Sequence, residues 1–322
     1  MLRQLILFIF CCPFLFTACK KNKQDPQCIA PAIIPMQPYS YPVWHPNGQI
    51  LGFNHTPLAG IGANGNAPCI WYSYMGKADS TGFYLMNRYG TGFRRITNFY
   101  LNTPAWSPDG HWIAFSIPPN IYKMPFNGST FDTTQIIQLT TNGGNFYPSW
   151  SANSDTIYFD SNNNAPIGTN FYSVWKMSND GSGKTRLTQS AGIGDSRQPF
   201  VGSNNRVYFM GYASGKQEIF SMSKIGADFI QETINLGGGS CPRYWQGKIF
   251  VETGSSIKVV QSNGSINKLT FPATTYDISV TGEIVYSKME YDIMKYNKQI
   301  GTLWIMNADG TNNRQLTFNN SF

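Results

Sequence analysis

The stretch AWSPDGHWIAFSI, residues 105–117, contains residue types that enzymes and metal sites use. Trp106, Asp109 and His111 lie within six residues, so a carboxylate, an imidazole and an aromatic ring could share one loop. The other interpretation is that this stretch is one copy of a structural repeat. Its residues would then be architectural, and function would lie in whatever does not recur.

Signals for a hydrolase are absent from the sequence. A serine hydrolase needs a nucleophile elbow and a partner histidine, and the chain has no GxSxG and only 3 histidines. His45 and His111 fall at predicted turns of a repeat, and His55 is the one outside it. A metal-dependent lyase would need several clustered histidines. We therefore predict no catalytic residue, no metal site and no cofactor, and consider an enzyme the less favoured class.

Two further motifs are better explained by structure. GIGANG at 60–65 fits GxGxxG but lacks the strand and helix that give this motif its phosphate-binding mechanism, so we predict a flexible loop. NADGTNN at 307–313 and NDGSG at 179–183 coincide with predicted hairpin turns and lack the acidic ligands of a calcium loop.

The opening stretch recurs along the chain. The copies YPVWHPNGQILGF (41–53), TPAWSPDGHWIAF (103–115) and YPSWSANSDTIYF (147–159) each place an aromatic residue nine positions after a tryptophan. A fourth copy, at 198–209, keeps this spacing from Phe200 to Phe209, and degenerate copies follow at 242–250 and 276–286. Six copies make the opening stretch a repeat unit, with Trp106, Ile113 and Phe115 predicted in the core.

A second pattern alternates with the first and gives the same count. Segments such as WKMSNDG and WIMNADG end at a glycine, with these glycines at 90, 128, 181, 226, 264 and 310. A strand, a glycine turn and a strand form a hairpin, because glycine reaches positive φ values readily. Each unit thus holds two hairpins, or four strands. Six such units predict an all-β fold, a six-bladed β-propeller of four-stranded antiparallel blades.

The same residues carry a family resemblance. PAWSPDGHWIAFS followed by WKMSNDGSGKTRLT resembles the repeat of the TolB-like β-propeller family, over roughly residues 38–322. This repeat occurs in periplasmic scaffold proteins, in serine peptidases of the prolyl oligopeptidase type, in some carbohydrate lyases and in lipoproteins. The resemblance implies a fold and leaves several functions open.

The N-terminus predicts export and a lipid anchor. Arg3 precedes the apolar run LILFIFCCPFLF at 5–16, which is too short to span a bilayer and is typical of a signal peptide. LFTAC, ending at Cys19, is similar to a bacterial lipobox, which implies lipidation of Cys19. We predict a lipoprotein signal peptide at 1–18, the lipidated cysteine and a polar tether at 19–37, and the propeller at 38–322. The segment 29–37 either adds a closing strand or only crosses the surface.

Charge and cysteine content fit an exported protein. The formal net charge is +7, but the basic residues outside the tether are scattered, so we predict no nucleic-acid partner. Lys20, Lys21 and Lys23 would add attraction to an anionic membrane. Three cysteines remain beyond Cys19, which allows one disulfide and one free thiol, and their spacing leaves the pair open. They are Cys28, Cys69 and Cys241.

Two regions are candidates for ligand binding. Long segments interrupt the repeat between second and third strands at 54–82, 160–170 and 287–301, all expected on the face of the blade connections. They carry the aromatic residues Trp71, Tyr72, Tyr74, Tyr291 and Tyr296, suited to sugars or peptides or simply to covering blade edges. The starts of the innermost strands should ring the channel. This predicted ring consists of Tyr41, Thr103, Tyr147, Arg197, Arg243 and Tyr276.

The sequence as a whole predicts a lipid-anchored propeller of the bacterial cell envelope, held at the outer membrane. Its expected role is to bind or scaffold an envelope protein partner or a glycan. The alternative is a carbohydrate-active enzyme, a polysaccharide lyase or hydrolase, with its site in the channel. An accessory structural subunit is a third possibility.

Overall fold

The computed structural model describes residues 38–64, 71–166, 169–188, 193–270, 272–292 and 298–318. Within these ranges the chain is almost entirely β-structure, and its helical elements are two short 3₁₀ turns, Ala78–Ser80 and Thr133–Gln135. No helix in the described ranges has the length and apolar character that crossing a membrane requires.

The described strands form six four-stranded sheets, or blades, and one separate hairpin. Blade 1 contains β1 (Tyr39–Trp44), β2 (Ile50–His55), β5 (Gly82–Asn87) and β6 (Arg94–Arg95), and the hairpin is β3 (Leu58–Asn64) with β4 (Trp71–Gly76). Blade 2 contains β7 (Asn102–Trp106), β8 (Trp112–Ile117), β9 (Asn120–Pro125) and β10 (Ile137–Gln138). Blade 3 contains β11 (Asn145–Trp150), β12 (Thr156–Ser161), β13 (Ser173–Ser178) and β14 (Thr185–Arg186).

The second half of the chain repeats this plan. Blade 4 contains β15 (Arg197–Val201), β16 (Arg206–Ala213), β17 (Lys216–Ser223) and β18 (Ile230–Gln231). Blade 5 contains β19 (Ser240–Trp245), β20 (Lys248–Thr253), β21 (Ser256–Val260) and β22 (Ile266–Thr270). Blade 6 contains β23 (Thr274–Ile278), β24 (Glu283–Asp292), β25 (Lys298–Asn307) and β26 (Arg314–Gln315). The prediction of six four-stranded antiparallel blades is confirmed.

The repeated aromatic residue of each second strand forms the core between blades. These six side chains are at most 1% exposed: Phe53, Phe115, Phe159, Phe209, Phe250 and Tyr286. Phe115 packs in one cluster with Phe83 and Leu85 of blade 1 and with Trp106 of blade 2. Burial of such a side chain contributes roughly 1.5–3 kcal/mol. Since each cluster draws on two blades, a single blade could not bury its own apolar surface.

Every innermost strand carries a β-bulge at the same place. The bulged residue has a left-handed backbone, with φ between 30° and 57°, and the pairing register shifts there in all six blades. These six left-handed residues are Tyr41, Thr103, Tyr147, Gln198, Cys241 and Thr275. Such a conformation costs of order 1–3 kcal/mol for a residue other than glycine, so the surrounding blades have to hold it in place.

The ring closes by packing of blade 6 against blade 1. The Tyr39 carbonyl accepts a hydrogen bond from the Ser287 hydroxyl (3.2 Å), and the Arg88 guanidinium lies 2.6 Å from the Glu283 carboxylate. Leu51 of blade 1 and Val285 of blade 6 share one buried cluster. In the described residues each blade is one continuous segment, so closure rests on side chains rather than on an exchanged strand. The segment 29–37 lies outside the described residues.

The interruptions of the repeat are more regular than predicted. In blade 1, residues 58–64 and 71–76 pair as the β3–β4 hairpin, so the loop expected from GIGANG is a strand as far as residue 64. In blade 6 the interruption lengthens β24 and β25, which pair from Glu283 to Asp292. Blade 4 also has a long second hairpin, β16–β17. Antiparallel strand pairing thus continues into two of the segments that interrupt the repeat.

Candidate functional site

The six innermost strands surround a central cavity of about 570 Å³. Its inner end is formed by the six left-handed residues, and the strand residues that precede them do not line it. From there it extends to the turns between first and second strands, and the turn residues that line it are Pro46, Pro108, Ala152, Ser203, Gln246 and Val280. The cavity therefore extends from the waist of the channel to the face of these turns, on which it opens.

This face lies opposite the interruptions of the repeat. In a four-stranded meander the turns between strands 1 and 2 and between strands 3 and 4 share one face, and the turns between strands 2 and 3 share the other with the blade connections. Trp71 and Tyr72 lie on β4, and Tyr291 lies on β24, all towards the connection face. Tyr74 also lies on β4, and Tyr296 lies outside the described residues. The two predicted sets of candidate residues do not come together.

Five of the six residues predicted to ring the channel line the cavity, and Arg197 does not. Tyr41, Thr103 and Tyr147 are left-handed residues at the cavity floor. In blade 4 the equivalent residue is Gln198 rather than Arg197, because the turn after β15 is one residue shorter. The nine-residue spacing from Phe200 to Phe209 therefore places the first strand of blade 4 one position too early. A shift of one residue moves a side chain to the other face of the sheet.

Blades 5 and 6 also differ from the predicted alignment. Their left-handed residues are Cys241 and Thr275, which precede the predicted Arg243 and Tyr276 by two positions and by one, and both predicted residues still line the cavity. A signal for the true alignment exists in the sequence. A proline follows the left-handed residue in blades 1 to 5, and these prolines are Pro42, Pro104, Pro148, Pro199 and Pro242.

Hydrogen bonds between blades hold the floor. The backbone N–H of Tyr147 donates to Thr103 Oγ1 (3.2 Å), and that of Cys241 donates to Gln198 Oε1 (2.7 Å). The N–H of Gln198 donates to Asp160 Oδ2 at 2.9 Å. In each pair the acceptor belongs to the preceding blade. The left-handed backbone thus offers an N–H that the neighbouring blade binds, which offsets part of the cost of the strained conformation.

The polar groups of the cavity wall lie mainly in blades 5 and 6. Arg243 Nε donates to Asp277 Oδ1 at 2.9 Å, and the second oxygen, Oδ2, accepts the Trp44 backbone N–H at 2.8 Å. The Arg243 guanidinium also lies 5.0 Å from the Phe200 ring centre. Burial acts to lower the pKa of Arg243, but Asp277, Tyr276 and Cys241 together outweigh this effect and raise it. The wall therefore carries one fixed ion pair.

Arg197 lies on the other side of the floor. Its Nε is 2.6 Å from Asp195 Oδ2, and its guanidinium stacks at 3.9 Å over the Tyr172 ring. Arg197 does not line the cavity, whereas Tyr41, Tyr147 and Arg243 do. Of the predicted channel cations, the structure places only Arg243 in the cavity wall formed by the described residues.

The titratable groups at the cavity floor have raised pKa values, which fit a structural role and make these groups poor nucleophiles. Burial raises the pKa of the Cys241 thiol to about 12, so the thiol stays protonated and weakly nucleophilic. Burial is also the main cause that raises the pKa of Tyr41 and of Tyr147, so both phenols remain neutral. Among the described cavity-lining residues Asp277 is the one carboxylate, and no histidine lines the cavity.

The histidines lie at structural positions. His45 is in the first turn of blade 1, where Nε2 is 3.2 Å from the Gly110 carbonyl and the ring packs edge-on against Trp106. His55 is buried, with Nδ1 2.8 Å from the Pro38 carbonyl, and burial lowers its pKa to about 4. His111 is exposed in a turn.

In three turns the aspartate side chain accepts a hydrogen bond from the backbone N–H of the residue two positions later. Asp109 Oδ1 accepts the His111 N–H at 2.9 Å, Asp180 Oδ1 accepts the Ser182 N–H at 2.9 Å, and Asp309 Oδ1 accepts the Thr311 N–H at 2.9 Å. The interpretation of these motifs as turns is confirmed. Within the described ranges, no group of three or more His, Cys, Asp and Glu residues is arranged to hold a metal ion.

Six four-stranded blades around a central cavity define a six-bladed β-propeller. The sequence matches no protein-family model and no curated protein. Solved structures with a similar fold include TolB from Acinetobacter baumannii, with 19% identity and a TM-score of 0.57 over 83% of this chain and 63% of that one. TolB proteins are thus among its structural neighbours, as the repeat predicted.

Enzymes share the fold as well. A puromycin-hydrolysing peptidase from Mycobacterium tuberculosis is 12% identical, with a TM-score of 0.53 over 87% of this chain and 53% of that one. An oligogalacturonate lyase from Vibrio parahaemolyticus is 9% identical, with a TM-score of 0.50 over 87% of this chain and 78% of that one. The chain spans about half of the peptidase and less than two thirds of the Acinetobacter protein. At these identities the likeness shows the fold alone.

Proposed function

We propose that this protein is a lipid-anchored β-propeller of the bacterial cell envelope that binds a protein partner or a glycan in its central cavity. The observation that carries the proposal is the cavity itself. Its volume of about 570 Å³ lies within the roughly 300–1,000 Å³ of ligand sites, and its wall is mainly aromatic, proline and aliphatic residues with a single ion pair. Such a wall is suited to holding a ligand.

A carbohydrate-active enzyme is the weaker candidate. General acid–base catalysis on a sugar requires two carboxylates on either side of the scissile bond, or a comparable acid and base. The described cavity wall offers Asp277, and both of its oxygens already accept hydrogen bonds from Arg243 and Trp44. The similarity of fold to an oligogalacturonate lyase keeps this class as the alternative to be tested.

The location in the envelope rests on the N-terminal sequence. The signal peptide at 1–18, the cysteine at 19 and the tether at 19–37 fit export, lipidation and attachment to the outer membrane. The TolB proteins among the structural neighbours agree with a role in the envelope. A Cys19→Ala variant should leave the membrane fraction and appear in the soluble fraction, and retention of this variant with the membrane would contradict the anchor.

Binding is tested by capture of partners from detergent-solubilised envelope and by a glycan array probed with a soluble form starting at Pro26. A Ser203→Trp variant places a bulky ring at the exposed rim of the cavity, and it should reduce any binding at least about tenfold. Ser262→Trp is the matched control, because Ser262 is an exposed serine in a turn of blade 5 that does not line the cavity.

The possible results separate the candidates. Loss of binding in Ser203→Trp alone supports the cavity as the site. Equal binding by both variants would move the site elsewhere, and absence of any partner or glycan would overturn the binding proposal. Turnover of a polysaccharide that Asp277→Asn abolishes would favour the enzyme.

A further inference from the structure

The Arg243 guanidinium in the wall of the central cavity is held in place, but some of its N–H donors have no hydrogen-bond partner among the described residues. Arg243 Nε donates to Asp277 Oδ1 (2.9 Å), and Nη1 donates to the Pro242 carbonyl (3.0 Å). A guanidinium has five N–H donors, and within the described residues the Nη2 nitrogen makes no hydrogen bond. The side chain of Arg243 is 23% exposed and lines the cavity. The guanidinium therefore keeps donors for a ligand.

The neighbours of Arg243 fix its position. Its guanidinium packs against the Phe200 ring at 5.0 Å and against the Tyr276 ring at 5.9 Å. Asp277 is itself held through Oδ2 by the Trp44 backbone N–H at 2.8 Å. Because these contacts restrain the side chain before any ligand arrives, a ligand would lose little binding free energy to ordering it.

The shape of the cavity limits the ligand. The six left-handed residues form its inner end, and Arg243 follows Cys241 of that floor by two positions in the same strand. A chain that enters with its terminus from the turn face reaches this inner end, whereas an internal segment would have to turn and leave on the same face. The donor group near the floor thus faces the place where a chain end would lie.

The chemistry of the wall favours a peptide over a glycan. A glycan presents hydroxyl groups on almost every ring carbon and needs many polar partners in addition to aromatic rings, whereas most of this wall is formed by aromatic, proline and aliphatic residues. An apolar peptide end carries one strong acceptor, its terminal carboxylate, which suits the fork of a guanidinium. We propose that the cavity binds the C-terminal end of an apolar peptide segment of a partner protein, with Arg243 donating hydrogen bonds to the terminal carboxylate.

This inference rests on the proposed binding in the cavity and is tested separately from it. The probes are N-terminally labelled tetrapeptides with Leu, Phe or Trp at the last two positions, each made as a free acid and as an amide. Fluorescence anisotropy with the full chain in detergent should show acids binding about tenfold to a hundredfold more tightly than amides, since a charge-assisted hydrogen bond contributes about 1.5–3 kcal/mol. This comparison needs no variant.

Two arginine variants then assign the effect. Arg243→Gln should bind acids and amides alike, whereas Arg197→Gln, which removes a cation on the other side of the floor, should keep the preference for acids. Equal binding of acids and amides by the native chain, or loss of the preference in Arg197→Gln, would overturn the role of Arg243 while leaving binding in the cavity intact. If neither acids nor amides bind, the peptide ligand itself is refuted, and the Ser203→Trp comparison then decides whether the cavity binds another class of partner.

Discussion

Asp160 should make the stability of the propeller depend on pH. Its side chain is 1% exposed between blades 3 and 4, Oδ2 accepts the Gln198 N–H, and Oδ1 has no hydrogen-bond partner among the described residues. Burial raises the pKa of Asp160 from 3.8 to about 7, against the opposing effects of the Gln198 N–H and of Arg197. The folded protein therefore holds a proton that the unfolded chain releases.

The sign and size of the effect follow from linkage. Because the pKa is higher in the folded state, the free energy of unfolding falls as pH rises from about 3.8 to about 7 and is constant above that range. A difference of about three pKa units corresponds to roughly 4 kcal/mol, at 1.36 kcal/mol per unit. Asp160→Asn removes the titration, and its amide oxygen can still accept the Gln198 N–H.

Urea unfolding of the soluble form at pH 4 and pH 8 measures this effect. Between these values the native chain should lose roughly 3–4 kcal/mol more stability than Asp160→Asn, whatever the variant's own stability, because all other titrations are common to both proteins. Asp132→Asn is the control. Asp132 is fully exposed, and hydrogen bonds from Thr134 and Gln135 lower its pKa, so its removal should leave the curve above pH 4 unchanged. Parallel curves for the native chain and Asp160→Asn would refute the reasoning.

Two further predictions test the fold. Phe115→Ala should lower the free energy of unfolding by about 3–5 kcal/mol, because Phe115 is fully buried between blades, whereas the exposed His111→Ala should change it by less than about 0.5 kcal/mol; equal effects in urea unfolding would contradict the repeat interpretation. Gly82→Ala should lower the free energy of unfolding by about 1–3 kcal/mol or more, because its Cβ would lie 1.9 Å from the Thr97 carbonyl oxygen. Gly60→Ala should leave the free energy of unfolding nearly unchanged, because its Cβ would lie 3.5 Å from Met75. Thermal unfolding of both glycine variants checks this difference, and a stable Gly82→Ala would show that the close approach is relieved.

The inferred ligand site differs from the region that the sequence favoured. The aromatic residues at 54–82 and 287–301 are predicted as ligand-binding candidates because their segments interrupt the repeat. The cavity, however, opens on the opposite face. The residues that break a repeat are easy to see in one sequence. A cavity built from repeated positions is hidden, because each of its residues belongs to the regular pattern.

The sequence by itself determined the blades. Alternating apolar residues, glycine turns and a repeated aromatic residue act over a few positions, so these local patterns were enough to predict strands, hairpins and the buried positions of Trp106, Ile113 and Phe115. The interpretation of Asp109 and His111 as turn residues also followed from recurrence. Local patterns are reliable for such features because their physical causes lie within a single hairpin.

Only the tertiary structure decided how the blades meet. Turn lengths vary among degenerate repeats, and the floor positions Gln198, Cys241 and Thr275 lie one or two residues from the predicted ones. The pairing of Arg243 with Asp277 joins residues 34 apart, and the bond from the Trp44 N–H to Asp277 joins residues 233 apart. The first contact needs blade 6 to pack against blade 5, and the second exists only once the ring has closed, because closure brings blade 6 against blade 1.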